Sequence, residues 1–188
     1  MAALRLLLCL VCLLGGNFAA RADPVARWRS YVEEASARFG VPVVWIERVI
    51  RAESGGRLSL GGRPIVSSAG AMGLMQLMPG TWADMRARLG LGHDPHAPRD
   101  NILAGTLYLR LMHDRFGYPG LFAAYNAGPA RYASVLSGRS RLPAETRAYL
   151  AQVGGPRGDR RSEPAAPDAV PMVGGPIFLI KRAGGSEP

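Results

Sequence analysis

Between Asp23 and Val153 apolar residues recur every three to four positions, the spacing of helices with one buried face. Val25 to Phe39 reads as a first helix stopped by Gly40, and Pro42 suits the first turn of a second that runs to about Ala52. Residues 54 to 70 are rich in Gly, Ser and Pro and lose the helical period, which predicts a long loop or a small strand excursion. A short helical segment is expected over Gly73 to Met78. Thr81 is a candidate cap for a helix ending at Gly90, and Asp100 for one from about Asn101 to Phe116. Further helices are expected at Gly120 to Tyr125, Ala130 to Leu136 and Pro143 to Val153. No alternating strand of useful length and no internal repeat stand out, so the predicted class is all-α, or α+β with a minimal β excursion.

The two ends read differently. Arg5, the apolar run Leu6 to Leu14 and the small residues around Ala20 and Ala22 have the layout of a cleavable secretory signal over residues 1–22, too short to span a bilayer comfortably. No membrane-spanning candidate follows it. Both cysteines, Cys9 and Cys12, fall inside that signal and outside a convincing lipoprotein box, so the mature chain is expected to have no disulfide and no cysteine metal site. Residues 154–188 are dominated by Gly, Pro, Ser and charge and read as a flexible tail. Its short apolar stretch Ile177 to Ile180 either docks as a strand or does nothing. One compact domain is therefore expected over residues 23–153.

The formal charge is +9, and removal of Arg5 and Arg21 with the signal leaves +7. Lys181 is the only lysine, and the arginines are spread along the chain. This is either composition bias on solvated faces or attraction to a polyanion. In an exported protein a cell wall or anionic lipid is nearer than nucleic acid, and no basic cluster interleaved with aromatics favours the latter.

The candidate chemistry begins at Glu53, which lies seven, four and three residues after Ile46, Val49 and Ile50 and so joins the apolar stripe of its helix. Burial raises a carboxyl pKa, and the negative end of the helix dipole pushes the same way. Such a carboxyl is a candidate general acid; the bland alternative is a helix-end residue paired with an arginine such as Arg57. Glu47 points elsewhere and is expected to pair with Arg51. Downstream, Gly70, Ala71 and Gly73 permit close approach, and Gln76 offers both a donor and an acceptor. Glu145 and Tyr149, four apart, share a helix face. His93, His96 and His113 lack ligand-like spacing with acids, so no metal or organic cofactor is implied.

Glu53-Ser54, the Gly-Leu-Met-Gln run ending at Gln76, the Ala-Tyr-Asn run ending at Asn126 and the Glu-Thr-Arg-x-Tyr run from Glu145 to Tyr149 resemble, in order, the motifs of the soluble lytic transglycosylases. The resemblance covers residues 27 to 153 and is particularly to small members found with conjugation and type IV secretion machines. It implies a goose-lysozyme-like helical domain with a substrate cleft. The implied activity is cleavage of the β-1,4 bond between N-acetylmuramic acid and N-acetylglucosamine in peptidoglycan, leaving 1,6-anhydromuramoyl ends. Glu53 would be the single acid and base. Ser67 (beside Ser68), Met75, Gln76, Tyr125, Asn126, Glu145 and Tyr149 would bind substrate or support the cleft. Each has a plainer alternative: Met75 as core, Tyr125 as a packed aromatic, Glu145 as a first-turn acid. A hydrolytic muramidase and a wall-binding assembly module are the competing readings. A periplasmic monomer is expected, with the signal cleaved near Ala22. The stretch from Gly55 to Pro64 is longer than the family's usual loop.

Overall fold

The computed structural model describes residues 23–154; the expected signal, both cysteines and the expected tail, from 155 onward, lie outside the described residues. Within this range the chain is helical, with one two-stranded excursion. A 3₁₀ turn at Ala26–Trp28 leads into α1 (Arg29–Phe39), so the first expected helix is split in two. Gly40, at φ 64°, ends α1 by turning left-handed. Helix α2 (Val43–Glu53) follows Pro42 and buries Ile46, Val49 and Ile50, the stripe expected from the sequence, together with Trp45. Next comes the hairpin of β1 (Ser59–Leu60) and β2 (Arg63–Pro64), turned through Gly61 and Gly62 at φ 58° and 76°.

The remaining helices are α3 (Pro79–Leu89), α4 (Pro98–Phe116), α5 (Gly120–Ala127), α6 (Pro129–Leu136) and α7 (Ala144–Val153). Helix α4 is the hub. All but one of its residues from Asn101 to Met112 are buried, and it packs against α1, α3 and α5. Helix α7 closes over α2 and α5. This packing brings the end of α2, one face of α5 and the start of α7 to a common edge.

Four local expectations are corrected. Gly73 to Met78 is not helical: Met72 and Leu77 exchange both backbone hydrogen bonds, at 2.9 and 3.0 Å, and close a tight turn between them. Gly73 at φ 77° and Gln76 at φ 46° occupy left-handed backbone that no right-handed helix can contain. Thr81 does not cap α3; Pro79 starts the helix after an extended Met78, which leaves Thr81 inside the first turn. Asp100 likewise lies inside α4, which begins at Pro98, and its carboxylate accepts the Gly92 N–H at 3.1 Å instead. Glu47 pairs with Arg29 at 3.0 Å, and Arg51 turns to Asp23, because neighbouring segments offer these side chains partners across the fold.

Candidate active site

Glu53 is the last residue of α2, and three groups fix the chain where it leaves the helix. The buried Ser54 hydroxyl donates to the Ile50 carbonyl at 3.2 Å and accepts the Gly56 N–H at 3.2 Å. The Gly56 carbonyl takes hydrogen bonds from Arg27 at 2.6 Å and from the Trp28 indole at 2.9 Å. A side chain on Gly56 would meet the Pro24 backbone at 2.8 Å, so only glycine lets the N-terminal strap lie this close.

Burial is the main cause that pushes the Glu53 carboxyl from the ordinary 4.5 up to about 7; the nearby Tyr149 hydroxyl opposes the rise, and the negative charge of Glu145 adds to it. The side chain is only partly covered, so the acid remains within reach of a ligand. Burial, reinforced by the Glu53 charge, holds the Tyr125 and Tyr149 phenols well above the ordinary 10. Tyr149 is buried in α7, and its hydroxyl faces the Glu53 carboxyl without the geometry of a completed hydrogen bond; it has no formed partner. Glu145, one turn earlier, is exposed.

Tyr125 links this acid to the Met72–Leu77 turn. Its hydroxyl donates to the Met75 carbonyl at 2.7 Å, and its ring lies 5.2 Å from that of Tyr108. Burial pushes the Tyr108 phenol up to about 12. Met75 itself is fully buried: its side chain packs over Gly105 of α4, and its contribution beside Tyr125 is made through its backbone. Gln76 is partly exposed and donates its side-chain amide back to the Gly73 carbonyl at 2.8 Å. Asn126 stands partly exposed at the end of α5, its amide in no hydrogen bond among the described residues. Ser67 is used locally, its hydroxyl accepting the Ala71 N–H at 2.9 Å and holding the 67–71 loop. Thus Glu53, Tyr125, Tyr149 and Glu145 share one electrostatic neighbourhood. Met75 and Gln76 join it through Tyr125, while Ser67 and Asn126 stand on flanking segments.

One positioning residue escaped sequence reasoning. Asn101, fully buried in α4, accepts the Met75 N–H at 2.8 Å and donates to the carbonyls of Met72 at 3.1 Å and Pro95 at 2.9 Å. It holds the turn that receives Tyr125. The available signal was a carboxamide preceding the unbroken apolar run Ile102-Leu103-Ala104, where a polar side chain has to find buried partners.

Among the described residues no group of three or more His, Cys, Asp or Glu is arranged to hold a metal ion. No described helix is long and apolar enough to cross a membrane. A cavity of about 480 Å³ opens beside Arg48, Arg51, Ala52 and Gln152. Arg51 is two residues from Glu53 and so faces away from it on α2; the cavity therefore does not coincide with the acid.

A helical domain with one partly covered acid at a helix end, faced by two buried tyrosines, defines a lysozyme-like class of protein. Residues 30–147 match the transglycosylase SLT domain, and the chain belongs to that family. An endo-type membrane-bound lytic murein transglycosylase A of Klebsiella pneumoniae is 36% identical over 100 residues, 48% of this chain and 47% of the relative. The soluble lytic murein transglycosylase of Escherichia coli K12 is 40% identical over 74 residues, 36% of this chain and 12% of the relative. The chain spans less than half the length of these curated relatives. Among solved structures, an inactive mutant of lytic transglycosylase Slt from Pseudomonas aeruginosa superposes with a TM-score of 0.57 at 30% identity, covering 66% of this chain and 22% of that one. The 70 kDa soluble lytic transglycosylase of Escherichia coli gives the same TM-score at 27% identity, covering 67% and 22%.

Proposed function

We propose that this protein is a peptidoglycan lytic transglycosylase whose catalytic domain spans residues 23–153 and whose single acid and base is Glu53. The observation that carries this reading is a partly covered carboxyl at the end of α2 that burial pushes up to about 7, so that it can both give and take a proton near neutral pH. The names of the relatives, lytic murein transglycosylases, support the substrate and the reaction class.

In the proposed reaction Glu53 protonates the bridging oxygen between N-acetylmuramic acid and N-acetylglucosamine, and the bond from the muramic anomeric carbon to that oxygen breaks. The acetamido oxygen of the muramic residue meets the positive charge at that carbon, with Gln76 and Asn126 as its positioning groups. The ionised Glu53 then takes the proton of the same sugar's primary hydroxyl as that oxygen closes on the anomeric carbon. The product is a 1,6-anhydromuramoyl end, and no water is consumed. An intramolecular nucleophile needs orientation more than activation, which suits a site with one strong acid. Ser67, Met75 and Glu145 shape the cleft, and Tyr149 adjusts the acid. The chain acts as a periplasmic monomer exported by the 1–22 segment, serving wall remodelling or a type IV secretion or conjugation machine.

Glu145 favours a second reading. A further carboxylate near Glu53 is the arrangement that lets a glycosidase activate water and release reducing ends. Mass spectrometry of products from intact peptidoglycan separates the two. Anhydro ends support the transglycosylase; ends heavier by one water, about 18 mass units, establish the muramidase. Undiminished digestion by Glu53→Gln would overturn both.

A further inference from the structure

The turn that follows Glu53 has little of its own to hold it. Gly55 and Gly56 stand at φ 60° and 72°, left-handed backbone that glycine adopts freely, and neither has a side chain to anchor it. Glu53 is also the last residue of α2, where a helix lacks part of its hydrogen-bond ladder and frays most readily. The holds that reach this turn from elsewhere in the chain come from one short segment, Asp23–Trp28.

That strap is tied at both ends and seated in its middle. The Asp23 carboxylate accepts the Val25 N–H at 3.0 Å and the Arg51 guanidinium at 2.5 Å, which joins the start of the strap to the last turn of α2. Val25 is buried in the main core. Arg27 and Trp28 then close on the Gly56 carbonyl with two donors, at 2.6 and 2.9 Å. The Arg27 guanidinium lies 4.8 Å over the Trp28 ring, so each steadies the other. The fit is close: a Cβ on Gly56 would meet the Pro24 backbone at 2.8 Å, whereas one on Gly55 would meet only the Arg57 side chain, at 3.8 Å. The titratable groups that face Glu53 belong to other elements, Tyr125 of α5 and Tyr149 and Glu145 of α7, while Arg57 of the turn gives its Nε to the Ser54 carbonyl at 3.2 Å. Asp23 and Arg27 are engaged with Val25, Arg51 and Gly56 instead. What the strap sets is therefore not the charge around the acid but where the end of α2 lies.

We propose that Arg27 and Trp28 are positioning residues for Glu53: by clasping the Gly56 carbonyl, the strap keeps the last turn of α2 closed and the carboxyl in its buried seat. This rests on the reading of Glu53 as a glycan-cleaving acid. Without the clasp the turn opens and water reaches the carboxyl. Its proton is then lost at lower pH, and less of the acid form is present near neutrality.

The test follows the Glu53 carboxyl carbon by NMR in the full chain made with isotope-labelled glutamate, the resonance assigned by its loss in Glu53→Gln. Rate profiles on intact peptidoglycan are recorded beside it. Wild type is expected to titrate at about 7. Arg27→Met/Trp28→Phe removes both donors and keeps the apolar bulk. Its carboxyl midpoint and the alkaline limb of its rate profile should fall together by about one pH unit. That shift lowers the protonated fraction, and with it kcat, about tenfold at pH 8 and hardly at all at pH 5. Arg27→Lys keeps a charged donor at the carbonyl and should titrate close to wild type. Gly55→Ala and Gly56→Ala carry the same left-handed strain, but only the second pushes on the strap. Gly56→Ala should therefore lower the midpoint and Gly55→Ala should not; if Gly56→Ala does not fold, the double variant decides. An unmoved or raised midpoint in the double variant, or equal shifts from the two glycine variants, overturns the proposal. So does a loss of rate of the same size at pH 5 and pH 8, the mark of a merely structural role. If wild type leaves peptidoglycan uncut, the catalytic reading fails while the carboxyl titration still decides the strap.

Discussion

Replacing Glu53 with Gln should make the protein more stable above neutral pH, even as it removes the proposed acid. The two side chains are nearly isosteric, and with both neutral they differ little in packing. The folded carboxyl has its pKa raised from 4.5 to about 7, mainly by burial. The folded state therefore binds that proton more tightly than the unfolded chain, and wild-type stability falls as pH rises from about 4.5 through 7. At about 1.4 kcal/mol per pH unit the full difference is about 3 kcal/mol, and partial exposure of Glu53 to solvent trims it to about 2 kcal/mol. In a domain of this size that corresponds to a melting temperature higher by about 5–10 °C for the variant at pH 8, and to near coincidence at pH 4. Thermal melts of both proteins at pH 4, 6 and 8 measure it. A gap of the same size at every pH would mean that the carboxyl is not held by burial, and a wild type more stable than the variant at pH 8 would refute the reasoning outright.

The neighbours of Glu53 should move its titration in opposite directions. Tyr149→Phe removes the hydroxyl that favours the carboxylate, so the alkaline limb of the activity profile should shift to higher pH; Glu145→Gln removes a like charge and should shift it to lower pH. Full pH–rate profiles check both signs. Asn101→Ala leaves the Met75 N–H and the Met72 and Pro95 carbonyls without their buried partner, which should cost about 2–4 kcal/mol in denaturant unfolding and lower kcat by loosening the turn under Tyr125. Gly105→Ala would bring a methyl within 2.4 Å of the Met75 sulfur, so a loss of about 1–3 kcal/mol is expected, relieved when Met75 is shortened to Ala in the same chain.

The α2 stripe was legible because its period is local: Ile46, Val49, Ile50 and Glu53 share a face wherever the helix packs, and that placement led to the expected rise in the Glu53 pKa. Helix ends set by Gly40 and Gly90 were legible for the same reason, since glycine at the left-handed position stops a helix without help from elsewhere. Helix starts were not. Thr81 and Asp100 have the chemistry of caps, yet Pro79 and Pro98, with φ already fixed for a first turn, begin those helices two residues earlier. The Glu47–Arg51 expectation failed because a charged side chain chooses among all neighbours in space, and Arg29 and Asp23 arrive from another segment.

The turn from Met72 to Leu77 shows why the site itself was harder to read than its acid. Gly-Leu-Met-Gln-Leu-Met has the composition of a helical segment, and nothing within those residues announces φ 46° at Gln76. That backbone is imposed from outside. The Asn101 carboxamide claims the Met75 N–H and the Met72 carbonyl, and Tyr125 claims the Met75 carbonyl, so groups that would have joined an i to i+4 ladder are taken by α4 and α5. A side chain on Gly73 would sit 2.3 Å from the Asn101 amide, so the glycine lets the turn come close enough for those bonds. Tyr125, Met75 and Asn101 thus form one chain of hydrogen-bonded contacts from α5 to α4, with its near end beside the Glu53 carboxyl. It follows that Asn101, which lies outside all four sequence motifs, constrains the acid's surroundings through Met75 and Tyr125, and that a substitution there should be felt in catalysis as well as in stability.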